Sequence, residues 1–133
     1  MDDAAPATQR VCPVASDLIF FGVLMIFSGM MDLYIIIANP EYRLPTFGTR
    51  PTGFIGWFVK LSAPPIHFLT GYGAILGRKW AYSLMMYYSL YGLTNAIVNR
   101  IVLPGPHRIR TIFMVGTLFF MGYLYVRRGQ FRT

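Results

Sequence analysis

The sequence has one cysteine, Cys12, two histidines and five carboxylates in 133 residues. A single cysteine excludes an intrachain disulfide framework and any paired-cysteine metal or redox motif. Only 13% of the residues are charged, about half the share of an average soluble domain, and too little to cover a globular surface. There is no Gly-rich phosphate loop and no His–carboxylate cluster with metal-ligand spacing. There is also no Ser with a plausible His–Asp pair. The expectation is therefore that the chain is not an enzyme. Residues 1–16 carry Asp2 and Asp3 and lack the basic start and small-residue cleavage site of a signal peptide, so the first apolar block is expected to remain as a membrane span.

What is abundant is apolar: 55% of the residues are hydrophobic and 17% aromatic. They fall in long blocks, and a run of about 18 or more reads as a transmembrane helix. The net charge is +7, but the Lys and Arg residues sit at the block ends, as at a lipid headgroup surface, and not on one segment. Nucleic-acid binding is discounted on that ground.

The blocks define an all-α, polytopic membrane protein with four transmembrane helices. Residues 1–16 form a polar N-terminal tail, with Ser16 and Asp17 as candidate helix N-caps. Residues 17–128 form the four-helix domain and 129–133 a short C-terminal tail. The spans are expected near Leu18–Ala38, Phe54–Leu76, Trp80–Val102 and Ile109–Val126. The second contains Lys60 and the Pro64-Pro65 pair, so it is either a span kinked at the prolines, the preferred reading, or an interfacial helix over 53–62 followed by a shorter span. Four spans place both termini on one face, assigned to the cytoplasm although the basic residues are nearly balanced between the two sides.

The turn "GYGAILGRKWAY" (Gly71–Tyr82) resembles the Gly-Arg-basic-Trp-Ala turn of small, functionally uncharacterised bacterial four-helix membrane proteins, whose last span also ends in an Arg pair. The similarity covers residues 64–128. It implies a four-span fold and no activity.

Asp32 is the one carboxylate deep inside a span. An unpaired carboxylate in hydrocarbon is costly, so a partner is expected. Counting residues inward from the helix ends puts Lys60 at similar depth, with Asn95 next and Arg100 approaching from the rim. Asp32, Lys60, Asn95 and Arg100 are thus the candidate buried polar cluster. Gly22, Gly29, Gly73 and Gly77 are candidate helix-packing positions, because small residues let helices approach closely. His67 is a candidate haem or chlorophyll-magnesium ligand, set against the blander reading of a neutral histidine bonded within the bundle. Trp57, Trp80, Tyr87, Tyr88 and Tyr91 are candidate interface residues. No cofactor is assigned. Bound lipid, or neighbouring chlorophyll or carotenoid, are the groups such a surface would meet.

Two roles fit. The first is a non-catalytic accessory subunit of a larger membrane complex, with a photosynthetic reaction-centre or light-harvesting assembly ahead of a respiratory one. It would lie in the bacterial inner or intracytoplasmic membrane, with its tail packed against a partner and no soluble substrate. The second is a small oligomeric carrier or channel using Asp32 and His67, since buried charges and broken helices mark transport sites.

Overall fold

A computed structural model describes residues 14–132. Most of the N-terminal tail, with its expected docking on a partner, lies outside these described residues. Four helices follow one another: α1 (Ser16–Ala38), α2 (Gly53–Ile75), α3 (Lys79–Val102) and α4 (Arg108–Arg127), the last continued by a short 3-10 turn, Arg128–Gln130. No strand occurs among the described residues. Two stretches, Ser16–Ala38 and Arg108–Gln130, are long and apolar enough to cross a membrane. α2 and α3 are as long but fall below that level of apolarity. α2 carries Lys60, Ser62, the proline pair and His67, and α3 carries Lys79, four tyrosines, Thr94, Asn95, Asn99 and Arg100.

α2 runs unbroken from Gly53 to Ile75 with both prolines inside it. A separate interfacial helix over 53–62 is not what forms. Prolines at 64 and 65 leave the carbonyls of residues 60 and 61 without their helical donors, while Ser62 Oγ donates to Val59 O (2.8 Å) and Thr70 Oγ1 to Ile66 O (2.8 Å) on either side.

The N-cap of α1 is Ala15, and no side chain caps the helix. Ser16 and Asp17 lie inside the first turn instead. Asp17 Oδ2 accepts from Tyr123 Oη at 2.7 Å and pairs with Arg127 Nε at 2.9 Å, both on α4. This contact, with Phe21 packed on Phe120 and Tyr123, joins the start of α1 to the end of α4.

α2 ends in a Schellman turn. Gly77 has φ +63°, its N–H donates to Ala74 O (3.0 Å), and Arg78 N–H donates to Gly73 O (2.8 Å). The residues after α4 are not a free tail. Phe131 is buried against Tyr82, and Arg132 N–H donates to Gly77 O at 3.0 Å. Leu18, Ala74, Ala81, Met85, Leu124 and Phe131 form the main core, all at this end. Residues 14 and 132 therefore lie at the same end of an up-down-up-down bundle. Much of the remaining surface is apolar, with Phe54, Ile101 and Phe119 each more than three-quarters exposed. A soluble monomer does not present that much greasy surface.

Candidate functional site

α1 and α2 cross where two glycines meet. A Cβ on Gly22 would lie 2.7 Å from Gly71 O, and one on Gly71 would lie 2.6 Å from Gly22 O. Seven residues further along α1, Gly29 rests against His67 Cβ and the Phe68 ring. This antiparallel register brings Asp32 beside His67, and Asp32 Oδ2 sits 2.6 Å from His67 Nδ1. The His67 side chain is 19% exposed and that of Asp32 31%. The Tyr88 ring from α3 packs edge-on to His67, 5.5 Å between centroids and 89° between planes. Tyr88 in turn stacks on Tyr91 at 6.2 Å, and Tyr91 meets Phe47 edge-on. Three helices thus converge on one Asp–His pair.

The expected partner of Asp32, Lys60, is elsewhere. Lys60 is buried, but its Nζ donates to Pro40 O at 2.9 Å and lies 4.3 Å over the Trp57 ring. Counting depth from the helix ends misplaced it, because the glycine crossing fixes the register. On that register Lys60 falls beside the Ile36–Pro40 end of α1, and its long side chain reaches the loop there. A carbonyl and a half-exposed indole face satisfy the ammonium.

Asn95 and Arg100 do not approach Asp32 either. Asn95 and Asn99, one turn apart on α3, hold the α1–α2 loop. Thr46 and Thr49 pair across a tight turn in which Phe47 (φ 45°) and Gly48 (φ 77°) are both left-handed, the geometry of a type I′ turn. The outward-facing N–H groups donate to the asparagines, Phe47 N–H to Asn95 Oδ1 and Gly48 N–H to Asn99 Oδ1, each at 2.7 Å. Both Nδ2 groups donate back to Pro45 O. Arg100 donates to Thr111 Oγ1 on α4. Arg110 donates to Asn99 O (3.1 Å) and Leu103 O (3.0 Å), closing the C-terminus of α3. The sequence reading missed Asn99, although its four-residue spacing from Asn95 puts both amides on one helix face.

Gly22 and Gly29 lie at the α1–α2 contact. Gly73 lies against Ala81 and Trp80 at the start of α3, where an added Cβ would come within 2.7 Å of the indole. Gly77 is outside the helix, at the turn described above, so Gly73 and Gly77 do not form one packing face. Trp57, Tyr87 and Tyr91 are exposed, and so is much of Trp80; Tyr88 is half-buried.

Comparison with family models, with characterised proteins and with solved structures returns no match for this chain.

Proposed function

We propose that the chain is a four-span integral membrane protein that serves as a non-catalytic accessory subunit of a larger membrane complex. All four helices are long enough to cross the hydrocarbon at about 1.5 Å per residue. On α2 and α3, Lys60, Thr70 and Asn99 are buried within the bundle rather than presented to lipid. The single observation that carries the subunit role is α4. Leu124 is its one buried residue among those described, and Ile112, Leu118, Phe119 and Val126 are each more than half exposed. A helix with so many bulky groups outside its own bundle offers a broad surface to another subunit. The membrane in this reading is a bacterial inner or intracytoplasmic one, with both termini cytoplasmic and the assembly photosynthetic or respiratory.

The test is the size and composition of the particle released by mild detergent from native membranes. Co-migration with larger, different subunits, weakened by deleting residues 2–14, is the expected result. A homo-oligomer would favour the carrier or channel reading, for which the Asp32–His67 pair is the specific observation.

A further inference from the structure

We propose that Asp32, His67 and Tyr88 form a binding site for the ring hydroxyl of a membrane-soluble, quinol-class amphiphile. The inference rests on the membrane-spanning reading but not on the existence of a partner complex. It starts from hydrogen bonds left open. His67 uses Nδ1 on Asp32 Oδ2. Among the described residues, His67 Nε2, Asp32 Oδ1 and Tyr88 Oη have no hydrogen-bond partner, yet none is sealed inside the protein. Lys60, Asn95, Asn99 and Arg110 each bond to backbone groups.

The chemistry of the three atoms narrows the ligand. Assigning the tautomer in which Nδ1–H donates to Asp32 Oδ2 leaves a lone pair on Nε2. Asp32 Oδ1 presents another, and Tyr88 Oη can donate or accept. Two acceptors on a His–Asp pair against which the Tyr88 ring packs call for a ligand that donates. In hydrocarbon, leaving them unpaired is costly and bulk water is absent to serve. A quinol hydroxyl donates to Nε2 or Oδ1 and accepts from Tyr88. Its ring meets the Tyr88 and Phe68 side chains, and its apolar tail can lie on the exposed Phe27, Met31 and Ile35 surface of α1, on either side of Asp32 in sequence. A metal ion fits less well, since no group of three His, Cys, Asp or Glu gathers among the described residues. A metallated tetrapyrrole would use Nε2 alone and leave Asp32 Oδ1 and Tyr88 Oη open.

The experiment uses the full chain in nanodiscs of zwitterionic phospholipid, titrated with decyl-ubiquinol held reduced under argon and followed calorimetrically against empty nanodiscs. Oxidised decyl-ubiquinone and haemin are titrated in parallel. The expected result is saturable quinol binding that is tighter than quinone binding. It should weaken about fivefold in Tyr88→Phe, as the loss of one neutral hydrogen bond implies, and vanish in His67→Phe. If His67→Phe fails to fold, Tyr88→Phe decides alone, because it removes a hydroxyl that bonds nothing among the described residues. Uptake no greater than into empty nanodiscs overturns the proposal. So does equal affinity in wild type and Tyr88→Phe, a preference for the oxidised quinone, or a His67-dependent Soret shift with haemin and no quinol binding. None of these readouts involves a partner protein, so failure here leaves the subunit reading standing, and loss of the complex leaves this site standing.

Discussion

Replacing Gly22 by alanine puts one methyl group into the closest backbone approach of α1 and α2. The new Cβ would sit 2.6 Å from Ile75 Cγ1 and 2.7 Å from Gly71 O. The isoleucine can rotate, but the carbonyl is backbone and cannot move without its helix. Restoring an ordinary contact needs the helices to part by about 0.7 Å, a gap that forfeits roughly a quarter to a half of the dispersion energy of each contact along the crossing. Overpacking of this kind costs about 1–3 kcal/mol. Alanine also favours the helix over glycine by roughly 1 kcal/mol, which partly hides the loss. Gly116→Ala is the internal control. Gly116 is likewise mid-helix, with nothing within 4 Å of an added Cβ, so it gains the same propensity and meets no clash. The difference between the two variants isolates the packing penalty, expected at about 1–3 kcal/mol. It is read from SDS-induced unfolding in mixed micelles followed by far-UV circular dichroism. Unfolding of Gly22→Ala and Gly116→Ala at the same SDS fraction would refute the close glycine crossing, and with it the register that pairs Asp32 with His67.

Three further outcomes follow from the same contacts. Asp32→Asn and His67→Gln should be coupled in a double-mutant cycle by more than about 0.5 kcal/mol, whereas Asp32→Asn and Lys60→Met should be additive within that margin, as expected of groups that share no partner; both cycles are read in the same unfolding assay. Asn99→Ala removes the acceptor of Gly48 N–H and a donor to Pro45 O, at about 1 kcal/mol for each hydrogen bond lost. Limited proteolysis and hydrogen exchange should show residues 44–50 opening first. Gly77→Ala forces a Cβ onto a residue at φ +63°, which costs on the order of 1 kcal/mol or more, and should lower the thermal midpoint while leaving quinol titration unchanged.

How much of this was readable in the residues differs from element to element. The four helices were legible because apolar blocks with basic ends bounded them; each boundary falls within two residues of its expected place. The single course of α2 through Pro64 and Pro65 agrees with the preferred of two readings, but the prolines alone left both open, since they cannot say whether Ser62 and Thr70 will support the surrounding turns. That Asp32 needs a partner followed from desolvation. Which partner did not, because depth measured from two helix ends ignores the register, and the register is set by Gly22 against Gly71, a pairing visible only once the helices are placed. Asn95 was singled out for depth, but its bond goes to a turn whose left-handed Phe47 no composition rule announces. Phe131, read as tail, is core because the short 3-10 turn at Arg128–Gln130 folds it back onto Tyr82.

The central claim is that all four helices cross the bilayer in alternating directions, so that the two chain-terminal ends share a face opposite the α1–α2 and α3–α4 loops. Single cysteines placed at Ala15, Thr49, Gly105 and Arg132 in a Cys12→Ser background, probed in sealed right-side-out and inverted membrane vesicles with a membrane-impermeant maleimide, test this directly. The account predicts that 15 and 132 label together from one side, the cytoplasmic one, and that 49 and 105 label together from the other. Labelling of 15 and 132 from opposite sides, or of 49 from the same side as 15, would contradict it.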